Sequence, residues 1–151
     1  MSVKFKGDWL YTKNWLAVAP VKLNREISKI MENFSTLILQ KIRMHIISQD
    51  LDWPALASST VMRKGFETIY IDKGSFYKNM VIERKKAGKS TQWQIRPSKR
   101  YAKGSGKTYQ DLALFLEYGT IKMPARPLWR PMFDEVKKIF PYEDIKRAIR
   151  F

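Results

Sequence analysis

Cysteine is absent from this 151-residue chain, and histidine occurs once, at His45. The first absence excludes a disulfide framework and a thiolate metal site. The second leaves too few imidazoles for a histidine-built metal centre, and a lone histidine in an apolar helical run reads as a packed or rim residue. Acids are scarce beside bases, with 14 Asp and Glu against 29 Lys and Arg. A metal-dependent nuclease needs several carboxylates converging on one point, and the trio to test is Asp50, Asp52 and Asp72. A serine or cysteine nucleophile with a histidine partner has almost nothing to be built from. No apolar run approaches the roughly 18 residues that cross a bilayer. The N-terminus, Met1-Ser-Val-Lys-Phe-Lys, is charged and lacks the apolar stretch of a signal peptide. The expectation is a soluble chain made in a cytoplasm, without cofactor, without membrane contact and without catalysis.

What the chain has in quantity is positive charge. A formal net charge of +15 favours polyanionic partners such as DNA, RNA or an acidic protein. The charge is concentrated between Glu83 and Asp111, where Arg84, Lys85, Lys86, Lys89, Arg96, Lys99, Arg100, Lys103 and Lys107 occur with no acid among them. Two readings stand: a solvated, mobile loop, or a surface facing DNA phosphates or an acidic partner. Trp93, Tyr101 and Tyr109 lie near the run and leave base stacking open. Within it, Lys103-Gly-Ser-Gly-Lys-Thr108 resembles a phosphate loop only in its second half. Tyr101 stands where the first glycine belongs, and the residues before it are too polar for a buried strand.

The length predicts one domain over residues 1–151, with 44% apolar residues for a modest core and a basic flexible region at 84–110. Val3 and Phe5 alternate with lysines, which predicts a short strand; a short helix ending at Pro20 comes after it. Leu23, Ile27, Ile30, Phe34, Leu37, Ile38, Ile42 and Ile46 recur at helical spacing and predict a long helix over 21–49. A turn at 50–54, a short helix from Pro54 to Met62 and a strand from Phe66 to Ile71 come next. Residues 76–98 read as a hairpin with strands at 76–84 and 91–96, and 97–110 as a loop. A helix or strand after Asp111, a stiff connector, a helix opening at Pro131 and a last basic segment after Pro141 complete the chain. The fold class expected is α+β: a long N-terminal helix packed on a small, mostly antiparallel sheet, with short C-terminal helices.

The most specific stretch is Leu112-Ala-Leu-Phe-Leu-Glu-Tyr-Gly-Thr-Ile-Lys-Met-Pro-Ala-Arg-Pro-Leu-Trp-Arg-Pro131. Gly119 stops the preceding element, and Pro124, Pro127 and Pro131 stiffen the residues after it. In order, Glu117, Tyr118, Gly119, Thr120, Pro124, Ala125, Arg126, Pro127, Leu128, Arg130 and Pro131 fall on a pattern of Glu, an aromatic, Gly and Thr, then Pro-Ala-x-Pro-x-x-Arg-Pro. In this the chain resembles the head–tail joining proteins of tailed bacteriophages, also called neck or tail-completion proteins. The opening Lys4-Phe-Lys-Gly-Asp-Trp9 adds weakly to the likeness, and Lys73-Gly-Ser-Phe76 matches the family only in part.

The resemblance implies a structural virion protein made in the host cytoplasm. It would form a ring, a hexamer or a dodecamer, between a portal-side adaptor or connector and the tail-tube or tail-terminator proteins. Genome DNA would pass through the lumen. Because such a ring needs contacts between unlike patches, the stiff connector is the expected place for subunit or partner contacts, through Glu117, Tyr118, Gly119, Pro124, Arg126, Pro127, Leu128, Trp129, Arg130 and Pro131. Leu128 and Trp129 would be anchors, and Arg126 and Arg130 polar pairs. The alternative carried by charge alone is a non-enzymatic nucleic-acid-binding protein; a small metal-dependent nuclease is the third reading.

Overall fold

A computed structural model describes residues 9–71, 75–87, 90–102, 104 and 106–150. The strand expected around Val3 and Phe5, the turn residues 72–74 and 88–89, and the side chains of Asp72, Lys89 and Lys103 lie outside the described residues. The elements in order are α1 (Trp9–Ser48), α2 (Ser58–Lys64), α3 (Ser75–Lys78), β1 (Met80–Ala87), β2 (Ser90–Pro97), α4 (Tyr109–Tyr118), α5 (Trp129–Lys138) and α6 (Tyr142–Ile149). The fold is the expected α+β arrangement, a long N-terminal helix against a two-stranded antiparallel sheet with shorter C-terminal helices. By its internal contacts the chain divides into two compact units, Met1–Asn33 with Pro141–Phe151, and Phe34–Phe140.

Several expectations about the elements need correction. The short helix expected from Pro54 to Met62 runs from Ser58 to Lys64. The helix predicted to stop at Pro20 and the one predicted from residue 21 are a single 40-residue helix. Proline removes one backbone hydrogen bond and crowds one carbonyl, which bends or weakens a helix without having to end it when strong formers continue on both sides. Phe66 to Ile71 is not a strand. The amide side chain of Gln49 supplies the pairing a neighbouring strand would give. Its Oε1 accepts from Ile69 N at 2.7 Å and its Nε2 donates to Ile69 O at 3.0 Å. Tyr70 then turns through a positive φ of 63°, which no regular strand contains. The hairpin is also longer than expected. Met80 to Ala87 pairs with Ser90 to Pro97, so Lys85 and Lys86, expected in the turn, belong to β1, while Arg84 and Arg96 lie in strands as the hairpin reading had them and not in a flexible region. Its start is shorter, because Ser75–Lys78 forms one helical turn instead of strand.

The core of the larger unit is continuous. Ile42 and Ile46 of α1 meet Ile69, Tyr70, Phe76, Met80, Tyr109, Ala113, Leu128 and Met132. One side of α1 is therefore given over to packing from Phe34 onward, as the three- and four-residue spacing predicts. Aromatic contacts run through this core: Trp53 to Tyr70 at 4.9 Å, Tyr70 to Phe76 at 5.2 Å and Phe76 to Tyr109 at 6.3 Å between centroids. Phe34 meets Phe140 edge-on at 5.4 Å. In the smaller unit Ala148 is buried, while Val18, Val21, Tyr142 and Ile149 are exposed. No helix among the described residues is long and apolar enough to cross a membrane.

Candidate functional site

The stretch 117–131 folds into a corner held by its own residues. Helix α5 begins at Trp129, two residues before the expected Pro131. The first turn of any helix leaves backbone N–H groups without partners inside the helix. Here the carboxylate of Glu117, on the last turn of α4, takes them. Its Oε2 accepts from Leu128 N at 2.7 Å and Trp129 N at 3.0 Å, and its Oε1 from Arg130 N at 3.2 Å. The next position is Pro131, which has no N–H to satisfy. The first regular bond, Met132 N to Leu128 O, comes next at 3.3 Å. A negative charge at a helix N-terminus is also favoured by the helix dipole.

Gly119 makes the corner possible. Its φ is +74°, and a Cβ there would lie 2.8 Å from both Ala125 N and Met123 O. Those are backbone atoms, so no side-chain adjustment relieves the contact. The chain then reverses in a tight turn closed by Thr120 N to Met123 O at 2.8 Å and Met123 N to Thr120 O at 3.1 Å. The returning arm is tied back by Arg126 N to Leu116 O. Pro124 is exposed and Pro127 half-buried, and Trp53 Nε1 donates to Pro127 O at 2.7 Å.

Leu128 and Arg126, expected as an interface anchor and a polar pairing group, are instead turned inward. Leu128 is fully buried, and Arg126 is only 2% exposed. The Arg126 guanidinium points inward and donates from Nε to Pro54 O and from Nη2 to Ala55 O, each at 2.8 Å. Its backbone carbonyl accepts from the Tyr70 hydroxyl at 2.6 Å. Burial pulls the Arg126 pKa below its ordinary value, with Tyr70 acting the other way. Burial pushes the Tyr70 hydroxyl well up, and the nearby charge of Glu117 adds to that. This arginine staples the 54–55 backbone to the corner, a role for which its planar fork is suited. Trp129 packs half-buried against the core, and Arg130 is exposed.

Outward the corner shows a different chemistry. Tyr118 is 78% exposed, and Ile121, at the tip of the turn, is fully exposed. Leu114 and Phe115 are exposed one turn earlier on α4. Positions 114, 115 and 118 fall on one side of a helix, so the apolar line continues from α4 into the turn.

The basic residues are spread over two places. Arg84, Lys85 and Lys86 are exposed on the outer half of β1, and the Arg84 guanidinium sits 5.5 Å from the Trp93 ring opposite it. Arg96 is closer to the base of the ribbon and is engaged with Glu83, donating from Nε at 3.1 Å and again from Nη2. That hydrogen bond from Arg96 holds the Glu83 carboxyl below its ordinary value. Lys99, Arg100 and Lys107 are exposed on the segment after β2, which is not an open loop. Tyr101 pairs with Thr108 as an isolated bridge, and Ala102 N donates to Lys107 O at 2.8 Å.

Thr108 starts α4 with a reciprocal cap: Asp111 N donates to Thr108 Oγ1 at 3.2 Å, and Thr108 N to Asp111 Oδ2 at 2.9 Å. The Asp111 carboxylate thus occupies the helix N-terminus where a phosphate loop would hold its phosphate.

One polar cluster had no sequence signal. His45, near the end of α1, faces Asp50 Oδ1 through Nδ1 at 2.7 Å and Glu135 Oε2 through Nε2 at 2.9 Å. Lys41 pairs with the other oxygen of Glu135. Burial lowers the His45 pKa, but the hydrogen bonds to Asp50 and Glu135 outweigh it and raise the pKa above its ordinary 6.5. Asp50 is held low by His45, and Glu135 by Lys41 and His45. With both ring nitrogens on carboxylates, the imidazolium is the form that satisfies both contacts. Among the described residues no group of three or more His, Asp or Glu side chains is placed to hold a metal ion. Comparison of the chain with protein-family models, with curated proteins and with solved structures gave no match.

Proposed function

We propose that this chain is a structural component of a phage head–tail joint: a ring-forming neck protein between the portal-side connector and the tail, with genome DNA passing through the ring. The observation that carries the reading is the match of residues 117–131 to the joining-protein pattern, taken with what those residues do. Glu117 caps α5, Gly119 alone fits its turn, Arg126 staples a second segment, and Leu128 fills the core. Four residues of the pattern, Glu117, Gly119, Arg126 and Leu128, are thus ones on which the shape of this corner depends, as expected of a shared structural module.

The exposed line Leu114, Phe115, Tyr118 and Ile121 supports the same reading, because a rigid apolar tip suits a contact between unlike patches of adjacent copies. In this reading the pattern's role is to aim that tip; Leu128 and Arg126 act from beneath it. The chain acts without catalysis, in the virion neck, after synthesis in the host cytoplasm. The test is the copy number of the chain in purified particles and its mass when free. A ring-like fixed number in particles, hexameric or dodecameric, with a smaller species free in solution, is the expected result. Absence from particles overturns the proposal. The net charge of +15 favours a second reading, a nucleic-acid-binding protein outside any particle, which predicts tight duplex binding by a monomer or dimer.

A further inference from the structure

The geometry points to the β1–β2 ribbon as an arm that grips double-stranded DNA through its phosphates, without reading sequence. The inference deepens the proposed function by naming the partner of the basic segment, and it is testable on the purified chain whether or not the chain belongs to a neck. Each strand has eight residues, so the ribbon is about 24 Å long at roughly 3.4 Å per step. Its base is anchored: Met80 is in the core, Ile95 packs against it, and Pro97 is buried.

Its outer half is not part of that core. The register there opposes Arg84 to Trp93, Lys85 to Gln92 and Lys86 to Thr91. Alternation places Arg84 and Lys86 on one face and Lys85, paired with Glu83, on the other, so the face of Arg84 and Lys86 is the more strongly basic. Glu83, the acid nearest the outer half, is engaged by Arg96 and lies 3.8 Å from Lys85. A two-stranded ribbon of this kind fits the major groove of B-form DNA, which is about 12 Å wide.

The side chains favour nucleic acid over an acidic protein. Protein interfaces have an apolar centre, whereas protein–DNA interfaces are polar and strongly positive. Beyond Ile82 and Ile95, the one large apolar group on the described outer ribbon is Trp93, and the Arg84 guanidinium lies over its ring. The rest of the described side chains are Lys, Arg, Gln and Thr, which suit phosphate and groove contacts, together with Glu83, which is engaged by Arg96.

The experiment uses the full chain and a labelled 30-base-pair duplex, with fluorescence anisotropy across a salt series. A ribbon variant carries Arg84→Gln, Lys85→Gln and Lys86→Gln. A charge-matched control carries Arg63→Gln, Lys137→Gln and Lys138→Gln, three exposed positions on α2 and α5. The ribbon variant is expected to bind about tenfold or more weakly at low salt, and to flatten the log–log salt slope by about 3, near one for each phosphate no longer engaged. The control keeps most of the slope. Equal weakening in both variants overturns the inference, since charge alone would then account for binding. Tighter binding of single-stranded DNA than of duplex also overturns it, in favour of stacking on Trp93. So does binding of polyglutamate as tight as duplex through the same three residues. Should the ribbon variant fail to fold, acetylation of Lys85 and Lys86 in the wild-type chain decides. Protection by duplex supports the arm, and unchanged reactivity overturns it. Duplex gripping by a chain absent from particles would leave this inference standing and end the neck reading.

Discussion

Replacing Glu117 by alanine removes the acceptor of three backbone N–H groups at the start of α5. The three are not equivalent. Arg130 is exposed, so its N–H regains water at little cost. Leu128 is fully buried and Trp129 half-buried, so their N–H groups lose a charge-assisted bond with poor access to a substitute. At about 1–1.5 kcal/mol for each of those two, the expected loss is about 2–3 kcal/mol. That corresponds to a fall of roughly 10 °C in melting temperature for a unit of this size. Glu117→Gln keeps one acceptor oxygen without the charge and should lose about half as much. Urea unfolding followed by far-UV circular dichroism measures both. A loss under about 0.5 kcal/mol for Glu117→Ala would show that the carboxylate is not what holds the start of α5.

Three further expectations rest on neighbouring contacts. Gly119→Ala should destabilise more than an ordinary surface change, by about 2 kcal/mol or more, because positive φ and a backbone clash at 2.8 Å add together; unfolding midpoints check it, and a neutral effect refutes it. Arg126→Lys should also destabilise, by about 1–3 kcal/mol, since an ammonium cannot reproduce the planar fork to Pro54 O and Ala55 O; a wild-type midpoint contradicts it. His45 should make stability depend on pH. Its folded pKa is raised, so its contribution is fully present below its unfolded value of 6.5 and is lost as pH rises through the folded value. Asp50 and Glu135 are lowered from 3.8 and 4.5, so their contributions are present above those values and are lost as pH falls. Melting temperature should therefore be highest between about pH 4.5 and 6.5, and His45→Gln should flatten the alkaline side. A wild-type and variant pair with parallel profiles above pH 6.5 rules the cluster out as the cause.

The fold class was legible because two periodicities were clean. The 3.6-residue spacing from Phe34 to Ile46 marked the packed side of α1, and the alternation around Trp93 and Ile95 marked β2. The lost strand at 66–71 and the hidden bonding of the corner share a cause: hydrogen bonds made over long sequence distances. Gln49 reaching Ile69 replaced a strand, and no local pattern announces a side chain pairing with backbone 20 residues away. The corner was legible as a rigid element from Gly119 and its prolines. Its internal bonding was not, because Glu117 caps a helix 11 to 13 residues ahead, and Arg126 reaches backbone more than 70 residues back. An arginine between prolines reads as a surface cation; only the fold shows it buried. Thr108 and Asp111 did carry a capping signal, Thr-x-x-Asp ahead of an apolar run, which the glycine-rich lysine segment beside it obscured.

The neck assignment is tested most directly by a cryo-electron microscopy map of the neck in particles whose phage encodes this chain. The proposal predicts a closed ring of copies, with Tyr118 and Ile121 at the contact between neighbours and the corner 117–131 in the shape it has here. Particles that lack the chain, or a ring in which that tip faces open solvent, contradict it.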